Sequence, residues 1–126
     1  MKKHILFAAF AISLGMSAPA IAHGSMEPSH GGVVQMSGEI LVELVKTSKG
    51  LDVYITEEDE PLNPADFDAQ LIVTPPSGQK STTALKPAGG NRLTAAGLRP
   101  GGGTKVVVVL VNKSNSAKTF ATFRYT

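Results

Sequence analysis

The chain has 126 residues, 42% of them hydrophobic and 17% charged, with no cysteine and no tryptophan. Such a length suits one ordinary domain rather than two, and the missing cysteine excludes disulfide staples, thiolate chemistry, Cys-type zinc or iron–sulfur sites and a cysteine-borne lipid anchor. The formal net charge of +2 and the sequence pI of about 9.0 come from two lysines in an N-terminal leader, and the remainder balances ten basic against ten acidic residues.

Residues 1–22 read as a cleaved signal peptide. Lys2 and Lys3 form the basic start, residues 5–16 are mostly apolar, and Ala20-Ile21-Ala22 offers small residues at an A-x-A cleavage site. The apolar run is about a dozen residues, too short for the roughly 20 that a membrane span needs, and no second long apolar run follows. The expectation is an exported, soluble, periplasmic protein with no membrane insertion after cleavage. Cleavage after Ala22 makes His23 the first residue, where its ring and the α-amino group can chelate one metal; near neutral pH a metal competes for that amine's proton.

The rest, residues 23–126, reads as a single all-β domain. Valine, threonine, glycine and proline are frequent, and short apolar runs alternate with turn residues. Residues 23–32 look like an unpaired arm, followed by an opening strand at 33–36. The run 39–46 places Ile40, Val42 and Leu44 on one face. After Thr47-Ser48-Lys49-Gly50, the run 51–56 alternates with Leu51, Val53 and Ile55 inward, so the two form a hairpin. Glu57-Glu58-Asp59-Glu60-Pro61 follows as an acidic turn and loop. The runs 69–74 and 79–85 make a second hairpin around Pro75-Pro76-Ser77-Gly78, and 91–95 is shorter. The run 105–111 is apolar on both faces, the pattern of a central strand covered on both sides, and 119–125 closes the domain. About seven to eight short strands imply an immunoglobulin-like β-sandwich or a small barrel with an N-terminal arm.

Charge is divided along the chain. Residues 23–68 hold ten carboxylates and two lysines, whereas 69–126 hold eight basic residues and no acid. Either the first half attracts cations as a unit, or the strands interleave and the charges pair across the surface.

Every histidine and methionine beyond the leader lies in residues 23–36: His23, Met26, His30 and Met36. Imidazole suits Cu(II) and thioether sulfur suits Cu(I), so the segment 23–36 is the expected metal site, with copper as bound cargo. His30 lies in the glycine-flanked loop Ser29-His30-Gly31-Gly32, where the backbone can bend to present the ring; its ordinary alternative is a surface histidine hydrogen-bonded to a carboxylate. Met26 is a thioether on a polar loop. Met36 sits where the first strand begins, a place where methionine also serves as core filling. An extended chain at about 3.3 Å per residue separates it from His30 by roughly 20 Å, so sharing a metal requires the arm to fold back. Glu27 supplies an oxygen to Cu(II) or is simply solvated. Zinc is less suited, since it uses methionine poorly.

The other chemical readings are weaker. The Glu57–Glu60 cluster lacks the alternating pattern and central glycine of a calcium loop and reads as a solvated hairpin end that discourages edge pairing. There is no nucleophile-elbow motif and no phosphate-binding loop, because Gly101-Gly102-Gly103-Thr104 leads into a strand. Basic residues of the second half are scattered without interleaved exposed aromatics, so no nucleic-acid partner is expected. An oxidase or monooxygenase built on the N-terminal histidine would need a second histidine anchored in the sandwich, and none exists. The protein is expected not to be an enzyme.

The stretches Met26-Glu27-Pro28-Ser29-His30-Gly31-Gly32, Glu43-Leu44-Val45, Val53-Tyr54-Ile55 and Leu85-Lys86-Pro87-Ala88-Gly89-Gly90-Asn91-Arg92-Leu93 together resemble a group of small exported β-domain proteins associated with heavy-metal, especially copper, efflux and resistance systems. The resemblance implies a periplasmic metal-binding accessory protein with His30-Gly31-Gly32 near the metal, and a copper efflux or envelope protein as partner. A weaker similarity, in size, sandwich class and N-terminal histidine, is to the CopC-like periplasmic copper carriers, from which this chain departs after His23 and in having no later histidine. The competing expectation is an immunoglobulin-like envelope interaction module whose arm docks on a partner, with no metal role.

Overall fold

The structure is a computed structural model that describes Gly15 and residues 25–126; the rest of the expected signal peptide, its cleavage site and His23 lie outside the described residues. Ten strands follow in order: β1 Val33–Ser37, β2 Ile40–Thr47, β3 Gly50–Glu57, β4 Glu60–Pro61, β5 Phe67–Thr74, β6 Ser81–Ala84, β7 Lys86–Pro87, β8 Arg92–Ala96, β9 Lys105–Asn112 and β10 Lys118–Arg124. A 3-10 turn at Pro64–Asp66 leads into β5. All pairings are antiparallel, in one sheet ordered β1-β2-β3-β8-β7 with β4 on the far end of β3, and a second ordered β10-β9-β5-β6. The two sheets form a β-sandwich and not a closed barrel.

The alternating residues read from the sequence build the core. Val42 and Leu44 of β2, Leu51, Val53 and Ile55 of β3, Leu71 and Val73 of β5, Leu93 of β8, and Val106, Val108 and Leu110 of β9 interleave between the sheets with Phe123 of β10. Fully burying each Val, Leu or Ile side chain is worth about 1.5–3 kcal/mol against its exposure in the unfolded chain. Gly50 begins β3 at φ +143, and a Cβ there would lie on the Ala95 carbonyl oxygen, so the β2–β3 hairpin seats against β8 only with glycine.

Several sequence expectations shift. The acidic loop is a two-residue turn, with Glu58 and Asp59 both at positive φ, and it returns the chain as β4. That is the backbone twist two-residue hairpins favour, adopted here without glycine. Strand β5 starts at Phe67 rather than 69, because Asn63 caps the preceding turn by accepting from Ala65 N–H and Phe67 enters the core at once. The expected strand at 79–85 shortens to β6. Strand β9 is central in its sheet, and its outward face is covered only in part: Val109 is buried, whereas Val107 and Val111 to either side are half-buried.

Sheet membership also decides how the charges lie. Strands β1 to β4 all belong to the first sheet, and β5, β6, β9 and β10 make the second. Basic residues reach the first sheet's strands from the second half only through Lys86 of β7 and Arg92 of β8. Among the described residues the ion pairs are Arg92–Asp52, at 3.6 Å, and His30–Glu43. The two halves are therefore largely separated by sheet rather than paired off.

Candidate functional site

Glu43 is the anomaly from which the site is built. Strand alternation turns it away from the core, opposite in phase to Val42 and Leu44, yet only 4% of it is exposed. A carboxylate in that position needs partners, and the arm provides them. Ser29 N–H donates to Oε1 at 3.1 Å, and His30 N–H and Gly32 N–H donate to Oε2 at 2.9 and 3.0 Å. The His30 ring adds a fourth contact, Nδ1 to Oε1 at 3.0 Å. Burial pushes the Glu43 pKa up, but the His30 ring and the Gly32, His30 and Ser29 amides outweigh it and hold the group below its usual 4.5.

The two glycines after His30 make this cradle geometrically accessible. Gly31 sits at φ +72, where the chain reverses. A Cβ on Gly32 would lie on the Leu44 carbonyl oxygen and 2.8 Å from Val45 Cγ2. The arm thus enters β1 pressed against β2, then runs back over the outer face of the first sheet. Its far end is tied down by Ser25 N–H, which donates to Asp59 Oδ1 at 2.7 Å across the β3–β4 turn.

Register fixes what lies beneath the arm. Val34, Glu43, Tyr54 and Arg92 form one row across β1, β2, β3 and β8, and Met36, Leu41, Thr56 and Pro61 form the next across β1, β2, β3 and β4. His30 stacks flat on Tyr54, with ring centroids 3.5 Å apart and planes 9° from parallel. A small cavity of about 30 Å³ lies under the arm, lined by Glu27, Ser29, His30, Leu41, Glu43, Tyr54, Thr56 and Asn91. Asn91 closes that end by donating from Nδ2 to the Ile55 carbonyl at 3.0 Å.

The consequence for His30 is chemical. An ionised carboxylate only accepts hydrogen bonds, so Nδ1 carries a proton and Nε2 is the ring nitrogen turned away from Glu43. The ring keeps 39% of its side-chain surface exposed. This is the arrangement in which a carboxylate fixes the tautomer and raises the basicity of a metal-binding imidazole.

The expected ligands are placed as follows. His30, Met26, Met36 and Glu27 all belong to the arm or to the β1 edge of the face it crosses. Met26 is 53% exposed, Met36 is half-buried, and Glu27 lines the small cavity. The arm folds back over the first sheet, but His30 stacks on Tyr54 of β3 while Met36 is on β1, two strands away. His23 lies outside the described residues. Among the described residues no group of three or more His, Cys, Asp or Glu side chains converges as a metal cage, and no helix is long and apolar enough to cross a membrane.

Glu43 and Tyr54 are the site residues that the sequence reading did not single out. One local signal for Glu43 existed. Its outward neighbours two residues either way on β2, Leu41 and Val45, are apolar, the mark of a face that something covers. Comparison with known proteins adds nothing to the geometry: the chain matches no protein-family model, no curated protein and no solved structure.

Proposed function

We propose that this protein is an exported copper-binding carrier or buffer that takes up the metal on the His/Met segment of its N-terminal arm. The observation that carries the proposal is the His30–Glu43 contact, which leaves an oriented and partly exposed imidazole whose Nε2 makes no hydrogen bond among the described residues. Met26 lies on the same arm and Met36 on the strand that follows it, and His23 is the one other histidine or methionine beyond the leader. The acidic first sheet supplies a favourable field for a cation. His23, as a free N-terminus after cleavage, would add a chelating amine and a second imidazole.

A second reading is favoured by Val33 and Phe120, apolar side chains that are 60% and 53% exposed. These suit an envelope interaction module on which the arm is merely clamped. Copper titration of the mature protein beside its His30→Ala variant and a form starting at Val33 separates the two. Stoichiometric binding lost in both variants supports the carrier; equal binding by all three forms removes it.

A further inference from the structure

We infer that the flank of the sandwich between β2 and β10 is a binding site for a small organic anion, a carboxylate carried on an apolar body. The site is separate from the metal reading: Lys46 and Arg124 hold the anion, and Val33, Leu44, Phe123 and the Tyr125 ring take the apolar part. A cavity of about 340 Å³ opens there, within the range of small-molecule pockets. The path of the chain explains why it is open. Strand β1 begins to pair with β2 at Val33 and Leu44, so Val45, Lys46 and Thr47 are paired on their β3 side only. Ahead of Val33, Gly32 presses against the Leu44 carbonyl and Gly31 turns at φ +72. That turn sends the arm over the outer face of the sheet, where His30 stacks on Tyr54, instead of down beside Val45–Thr47. Val33 consequently stands opposite Leu44, in the core-facing phase, yet is 60% exposed. An inward apolar side chain with that exposure marks a part of the core that the opposite sheet leaves uncovered.

The charged residues at this opening, Lys46 and Arg124, have one sign. Lys46 shares the phase of Val42 and Leu44 and so turns to the inter-sheet side at the end of β2, where its Nζ lies 4.0 Å from the centroid of the Tyr125 ring. Arg124 reaches the cavity from β10. Neither cation takes part in an ion pair among the described residues, and the lining holds no aspartate or glutamate. The Tyr125 hydroxyl is buried without a hydrogen-bond partner, and burial pushes its pKa up, so it brings no negative charge. A guanidinium presents a planar pair of donors that matches a carboxylate, and the ammonium held over the ring by cation–π attraction is a second charge beside it. The apolar walls then take hydrocarbon, so an inorganic anion or a neutral hydrocarbon satisfies only half of the site.

The test follows hexanoate binding to the metal-free mature protein by NMR titration, with 1-hexanol and hexylammonium as neutral and cationic probes of the same length. The expected result is saturable hexanoate binding with a Kd on the order of 1 mM, and shifted amides confined to the arm root, the end of β2 and the end of β10. Both other probes should bind about fivefold more weakly, and Lys46→Gln and Arg124→Gln should each weaken hexanoate on the order of threefold to fivefold. Lys113→Gln, at the far β9–β10 turn, should leave it unchanged. Val33→Glu places a carboxylate at the opening and should abolish binding. All four substituted side chains are exposed, so the fold survives each change. Hexanol bound as tightly as hexanoate reduces the site to an apolar cleft and overturns the inference. Shifts centred elsewhere on the protein, unchanged affinity in both cation variants, or no saturable binding overturn it equally. None of these outcomes bears on the copper titration, which reads the arm.

Discussion

Replacing Glu43 with alanine should free residues 25–32 from the first sheet while the sandwich stays folded. The carboxylate accepts three backbone amides and one ring N–H. Hydrogen bonds to a charged group contribute about 1.5–3 kcal/mol each, a gross gain of roughly 6–12 kcal/mol. The His30–Tyr54 stack adds about 0.5–1.5 kcal/mol. Against this, ordering the backbone of eight residues costs about 1–2 kcal/mol apiece, roughly 8–16 kcal/mol. The two sides nearly cancel, so docking of the arm is marginal and global stability should fall by no more than about 1–3 kcal/mol. Hydrogen exchange read amide by amide, with urea unfolding alongside, measures both quantities. Protection should vanish at Ser29, His30 and Gly32 and persist through β2 and β3. Undiminished protection at Gly32 would refute the carboxylate as the clamp, and loss of the whole fold would refute the near-cancellation.

The same carboxylate gives a pH dependence of definite sign. Its folded pKa lies below the usual 4.5, so its stabilisation is complete above that value and is lost as pH falls through the folded pKa. Urea midpoints of the wild type should drop more steeply in acid than those of Glu43→Gln, and parallel curves would contradict the linkage. Gly32→Ala places a methyl on the Leu44 carbonyl oxygen; it should displace the arm from β2, cost about 1–3 kcal/mol in denaturant, and abolish amide protection at Ser29, His30 and position 32. Tyr54→Ala removes the stacked ring and should move the His30 ring proton resonances downfield while lowering stability by about 0.5–1.5 kcal/mol beyond the lost burial. Leu71→Ala, at a wholly buried position between the sheets, should destabilise by about 2–5 kcal/mol, a calibration against which the arm variants are small.

Much of the strand order was legible because alternation is a local property. The β2–β3 hairpin, with Leu51, Val53 and Ile55 inward, follows from residues two apart and needs no distant partner. The short pieces were not legible. Strands β4 and β7 have two residues each and no period to detect; they exist because β3 and β8 offer open hydrogen-bonding edges beside them. Strand β9 misled for a related reason: valine at three successive outward positions, 107, 109 and 111, imitates a doubly covered strand, but β-branched residues also suit an outer face that neighbouring side chains cover, as they do for Val109. Glu43, Tyr54 and Asn91 have no local feature that ties them to His30, which is 13, 24 and 61 residues away along the chain.

The sequence by itself determined the β class, the residues facing the core and the confinement of imidazole and thioether donors to one short segment beyond the leader. These follow from side-chain type and a two-residue period. Only the tertiary structure decided that the segment folds back at Gly31, that a buried outward-facing carboxylate gathers its amides, and that the His30 ring lies on Tyr54 with Nε2 turned away from Glu43. Each depends on strand register and on atoms brought together from separate strands, since a carboxylate turned away from the core takes its burial and its partners from whatever the fold lays over it.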